Sequence, residues 1–101
     1  MSKEEKVKKV KLVIEFKTNC ELYTVSIDGV PIYFPNDEAT MELEEGNTYL
    51  LEWTVEGEEG CEYSLKILEP PNIGLDITRK LDSSKKDTGQ YYIEIPVSSK
   101  E

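Results

Sequence analysis

Tyr49-Leu50-Leu51-Glu52-Trp53-Thr54-Val55-Glu56 decides the fold. Tyr49, Leu51, Trp53 and Val55 alternate with Leu50, Glu52, Thr54 and Glu56, so an extended backbone here presents one apolar face and one mostly polar face. A period of two is the side-chain period of a strand, and aromatic and β-branched residues suit a pleated, half-buried surface. The segment reads as the longest and most central strand of a sheet with one buried side.

The same alternation recurs upstream. After a charged tail over residues 1–9, Val10, Leu12, Ile14 and Phe16 make one inward set, and Tyr23, Val25 and Ile27 make the next. Asp28-Gly29 then predicts a two-residue hairpin, because a type I′ turn needs positive φ at both central positions. A third strand follows over Val30 to Phe34, ended by Pro35-Asn36-Asp37. Ala39, Met41 and Leu43 supply a fourth inward set before the turn at Glu45-Gly46-Asn47.

Downstream, Gly57-Glu58-Glu59-Gly60 reads as a hairpin loop leading to Cys61, Tyr63, Leu65 and Ile67 on a return strand. Glu69-Pro70-Pro71-Asn72 must leave the ladder, since neither proline can donate, and is expected to cross between sheets. Ile73, Leu75 and Ile77 form a seventh strand. After the polar loop Asp82-Ser83-Ser84-Lys85-Lys86, Tyr91, Ile93, Ile95 and Val97 form the last, with Pro96 marking an edge. Seven or eight short, mostly antiparallel strands without helical period predict an all-β sandwich. At 101 residues the chain is one domain, placed over residues 10–98 with a short tail at 99–101.

Leu75-Asp76-Ile77, followed by Asp87-Thr88-Gly89-Gln90-Tyr91, resembles the E-to-F region of immunoglobulin-like domains, whose D-x-G-x-Y run carries a tyrosine corner. The resemblance implies an immunoglobulin-like sandwich in which the Tyr91 hydroxyl bonds back to upstream backbone and Trp53 is buried between the sheets. Ile93 stands where that family has its second disulfide cysteine. Because the fold hosts many functions, the resemblance brings no catalytic or binding residue with it.

Charge is segregated along the chain. Residues 1–17 carry a net +3, residues 18–77 a net −13 with Lys66 their only cation, and residues 78–101 a net +1. A strongly negative surface is expected, repelling nucleic acid and anionic membrane and favouring a basic protein partner. Met1-Ser2-Lys3-Glu4-Glu5-Lys6 is charged where a secretory signal needs an apolar run, so the expected setting is cytoplasmic, with an upstream leader left open. Cys20 and Cys61 fit no zinc spacing. In a reducing compartment they are two small thiols; a disulfide tying the second strand to the sixth is the alternative and fits an exported protein.

Chemistry has little to start from. The chain has no histidine, so acid-base work would fall on shifted carboxylates or a lysine. Glu42, Glu44, Glu52, Glu56, Glu58, Glu59 and Glu62 are spaced like a solvated face, and Ser26, Ser64, Ser83 and Ser84 have neither a histidine base nor a G-x-S-x-G elbow. No catalytic residue, cofactor or metal site is assigned, and the chain is not expected to be an enzyme. Oxygens at Asn36-Asp37-Glu38 and Glu58-Glu59 could suit calcium, yet no EF-hand run exists and ordinary turns account for both. Tyr33, Phe34 and Tyr92 are not clearly inward. Exposed together beside acidic residues, they would form a partner-binding patch with aromatic anchors. The expected function is a non-enzymatic interaction or structural module using a sheet edge or this patch. An acidic inhibitor or nucleic-acid mimic and a carbohydrate- or calcium-binding accessory module are the alternatives.

Overall fold

A computed structural model describes residues 8–97. Eight strands run in order: β1 (Lys9–Thr18), β2 (Leu22–Ile27), β3 (Val30–Pro31), β4 (Glu38–Glu44), β5 (Thr48–Glu56), β6 (Glu62–Glu69), β7 (Asp76–Lys80) and β8 (Lys86–Glu94). They form two four-stranded antiparallel sheets, β4-β1-β6-β7 and β3-β2-β5-β8, packed face to face as a β-sandwich. The chain changes sheet at every connection except β2–β3 and β6–β7. No helix among the described residues is long and apolar enough to cross a membrane.

The period of two places the core. Leu12, Ile14 and Phe16 on β1, Leu51, Trp53 and Val55 on β5, and Tyr63, Leu65 and Ile67 on β6 are buried between the sheets. β5 is central, with β2 on one side and β8 on the other, although β1 exceeds it by one residue. Asp28 and Gly29 take φ of 51° and 81° and close the predicted hairpin between Ile27 and Val30. The edge strand β4 leaves Ala39 and Met41 half-buried and covers only Leu43.

Several connections differ from expectation. Gly57–Gly60 is not a hairpin: β5 pairs with β2 and β8, β6 pairs with β1 and β7, and the loop carries the chain between sheets. The diproline stretch is not a crossover, since Leu65 lies opposite Ile77 in one sheet. Alternation alone cannot distinguish these cases, because each sheet buries one face in either arrangement. β3 stops at Pro31 rather than Phe34, whose ring turns into the core against Phe16 at 5.5 Å between centroids. β7 starts at Asp76, leaving Ile73 and Leu75 to pack from the preceding loop, and Leu81, which the sequence reading passed over, is buried. β8 starts at Lys86, so the D-x-G-x-Y run lies inside a strand. Lys9 belongs to β1; the remainder of the expected N-terminal tail up to residue 7, and the tail at 99–101, lie outside the described residues.

Cys20 and Cys61 are bonded, with Cα atoms 5.3 Å apart, which corrects the expectation of free thiols. Neither lies in a strand. The bond joins the β1–β2 and β5–β6 connections, which run side by side from one sheet to the other because β1 neighbours β6 and β2 neighbours β5.

Candidate functional site

The β3 and β4 edges face each other across an open side of the sandwich, spanned by the connection from Ile32 to Asp37. Its ends are tied down: the Ile32 N–H donates to the Val25 carbonyl at 2.8 Å, and the Phe16 N–H donates to the Asp37 carbonyl at 2.9 Å. Phe34 anchors its middle in the core, so its neighbour Tyr33 is forced outward and is 77% exposed. Between the two edges lies a groove of about 660 Å³. Val30, Ile32, Pro35, Ala39 and Met41 give it an apolar lining, and Asp28 and Glu38 contribute carboxylates.

The three aromatics expected to form one patch are not brought together. Phe34 is a core residue: Val30 lies opposite the inward Ile27, and the period of two carries on through Ile32 to Phe34. Tyr92 is 57% exposed on the outer face of β8, beside Leu50. β3 and β8 are opposite edges of the same sheet, three strand spacings or about 14 Å apart. Tyr33 and Tyr92 therefore belong to separate surfaces. Tyr23, expected inward, is 41% exposed at the end of the sandwich, with its ring against Phe16 at 4.8 Å.

Topology also redistributes the charge. The lysine-bearing β1 lies between β4 and β6, so Lys9 faces Glu44, Lys11 faces Glu42, and Glu15 faces Lys66. On the other side of β6, Lys66 faces Asp76 and Glu62 faces Lys80. Charges segregated in sequence thus become interleaved across one sheet, with Glu15 against Glu38 a like-charged exception. The outer face of the other sheet is mostly uncharged, with Thr24, Thr54 and Thr88 in one row and Leu50 beside Tyr92 in another. Among the described residues no three acidic or cysteine side chains gather to hold a metal. Ser84 donates to the Asp82 carboxylate at 2.6 Å, and with the Ser84 N–H this holds the Asp82 carboxyl below its ordinary range. The pair closes a turn.

The D-x-G-x-Y run has a physical role that the sequence reading missed. The Trp53 Nε1–H donates to the Tyr63 hydroxyl at 3.1 Å, and that hydroxyl donates to Asp87 Oδ2 at 2.6 Å, joining the two sheets through the core. The Tyr91 hydroxyl does bond to upstream backbone, the Ile73 carbonyl at 3.2 Å, but from mid-strand and not from a corner. At the start of β5, the Tyr49 hydroxyl accepts the Glu44 N–H at 2.8 Å across the β4–β5 turn. A tyrosine three residues after the turn glycine Gly46 is the signal that could have found it.

Burial and the Asp87 carboxylate push the Tyr63 hydroxyl up to about 12, only partly offset by the Trp53 N–H. An unfolded tyrosine titrates near 10. Tyr63 is therefore held protonated, and its contribution to stability is complete below about pH 10 and lost as pH rises through about 12. Tyr63→Phe should cost about 1–3 kcal/mol at neutral pH, because it strands the indole N–H and the carboxylate. It should also flatten this alkaline limb in denaturant unfolding followed against pH. An unchanged limb would show that another group causes it. Comparison of the chain with protein-family models, with curated proteins and with solved structures gives no match.

Proposed function

We propose that this domain is a non-enzymatic protein-interaction module that receives an extended, apolar segment of a partner with basic flanks in the groove between β3 and β4. The observation that carries this is the apolar groove beside the exposed Tyr33 ring, with Asp28 and Glu38 as carboxylates for the basic flanks. With β3 too short and β4 too charged to add a strand, the groove holds the segment through pockets for its side chains, and aromatic anchors supply much of the affinity. The interleaving of lysines with acids on the other sheet favours this reading over an acidic mimic, which needs a continuous negative surface.

An immunoglobulin-like arrangement is the finer reading of the sandwich. Supporting it are the Tyr49 hydroxyl bond across the β4–β5 turn, which that reading makes the tyrosine corner, and the placement of β1, β2, β4 and β5, in which β1 pairs with β4 while β2 pairs with β5, as B with E and C with F in that fold. The β6–β7 pair, inserted into the opposite sheet before β8, is this chain's departure. The Cys20–Cys61 bond supports an oxidising compartment as the working environment, in place of the cytoplasmic setting.

The test is capture of a stoichiometric partner by the immobilised domain at low and at high salt. Tyr33→Ala and Val30→Lys, both at exposed positions, should each reduce capture about tenfold or more, the scale of a lost interface anchor. Tyr92→Ala should leave it unchanged. Capture indifferent to both groove variants but abolished by salt would replace the groove with the acidic mimic.

A further inference from the structure

A sandwich with two open sheets has four edge strands, and a bare edge invites another strand unless it is short, charged or interrupted by proline. Three of the four edges here carry such devices. β3 has two residues, one of them Pro31. β4 has glutamates at Glu38, Glu42 and Glu44, and β7 has five residues of which Asp76, Arg79 and Lys80 are charged. β8 keeps its charges at its two ends, Lys86 and Asp87 at one and Glu94 at the other. It runs nine residues, pairs with β5 without a register shift, and from Thr88 to Ile93 carries six uncharged residues in succession.

The sequence of β8 is complementary to itself. When Lys86-Asp87-Thr88-Gly89-Gln90-Tyr91-Tyr92-Ile93-Glu94 is laid antiparallel on a second copy with Gln90 opposite Gln90, each Lys86 meets a Glu94 of the other copy. Thr88 meets Tyr92 on the outer face; on the inner one Gly89 is covered by the Trp53 indole of its own copy, so the pairing there is between backbones. The register satisfies the ladder, because every pair joins residues of the same parity, whose N–H and C=O groups point to the same side. A two-fold axis makes every such contact occur twice.

We infer that the free edge of β8 joins two copies of this chain, pairing antiparallel about Gln90 so that the two β3-β2-β5-β8 sheets become one continuous sheet. This surface lies on the opposite side of the sandwich from the β3–β4 groove, so the dimer and the partner site are independent and can fail separately.

Sedimentation equilibrium on the intact domain tests the dimer, with hydrogen exchange reporting on β8 amides. A dimer is expected, with β8 amides whose N–H groups face away from β5 gaining protection as concentration rises. Glu94→Lys places two lysines opposite each other at both ends of the ladder, and should weaken association about tenfold or more with the melting temperature of the monomer unchanged. Combining it with Lys86→Glu and Glu56→Lys restores opposite charges across the axis and keeps the ion pair that Lys86 makes with Glu56 in its own copy, and should recover the dimer. Gln90→Lys, on the axis, should weaken it in every combination. A monomer at all concentrations, a dimer indifferent to Glu94→Lys and Gln90→Lys, or β8 protection only when a different protein is added, each overturns the inference.

Discussion

Gly89→Ala is expected to destabilise the domain by about 3 kcal/mol or more, although it adds only one methyl group. The backbone at Gly89 needs no left-handed φ, so the cause is space. Gly89 lies directly opposite Trp53, whose indole folds across it. A Cβ at this position would come within 2.8 Å of Trp53 Nε1 and closer still to Cζ2 and Cε2, whereas carbon atoms rest about 3.5–4.0 Å apart. The ring would have to swing away, but it is packed between the sheets and bonded to Tyr63, so the move adds the loss of that hydrogen bond to the overpacking. Denaturant unfolding measures the cost. In a double-mutant cycle, Gly89→Ala combined with Trp53→Phe should be at least about 1 kcal/mol less destabilising than the two single effects added, because the smaller ring leaves room for the methyl. A Gly89→Ala protein within about 0.5 kcal/mol of the parent, or strict additivity, would remove the indole as the reason for the glycine.

How far the sequence could be read follows from what each signal encodes. Alternation fixes which side chains point inward, and it placed Leu12, Ile14, Val25, Leu51, Trp53, Leu65 and Ile93 in the core. It carries no information on which strand pairs with which, so the loop Gly57–Gly60 read as a hairpin although it crosses the sandwich. Asp28-Gly29 succeeded because its φ requirement belongs to the turn itself and needs no tertiary context. The D-x-G-x-Y run misled for the opposite reason. Its glycine and tyrosine resemble a corner, yet Asp87 and Gly89 are required by Tyr63 and Trp53, residues distant in sequence that no local pattern links to them. Tyr33 and Tyr92 were correctly singled out as doubtful core residues. Phe34 keeps the inner parity that the Ile27–Val30 pair sets, and two adjacent rings, Tyr33 and Phe34, obscure that parity in the sequence alone.

Removing the Cys20–Cys61 bond is expected to lower stability by about 4 kcal/mol while leaving the fold intact. The two cysteines are 41 residues apart, and the entropy of closing a loop of that length in the unfolded chain gives a loss of this order. The native turn has other supports. The Glu62 N–H donates to Asn19 Oδ1 at 2.8 Å, the Asn19 N–H and the Thr18 hydroxyl both donate to the Glu62 carbonyl, and the Cys20 N–H donates to Thr18 Oγ1 at 2.9 Å. Those bonds hold the connection in place without the sulfur link, so the effect falls mainly on the unfolded chain. Cys20→Ser with Cys61→Ser should therefore lower the denaturation midpoint and also steepen the transition, since an unlinked chain exposes more surface when it unfolds. Reductant should bring the parent protein to the same curve and leave the double variant unaffected. For a domain whose total stability is of order 5–15 kcal/mol, a loss of this size removes a large fraction of the margin. The same experiment bears on the compartment. A parent protein indifferent to reductant would have no link to lose and would return the domain to a reducing setting, whereas a large shift means that full stability is reached only where thiols are oxidised.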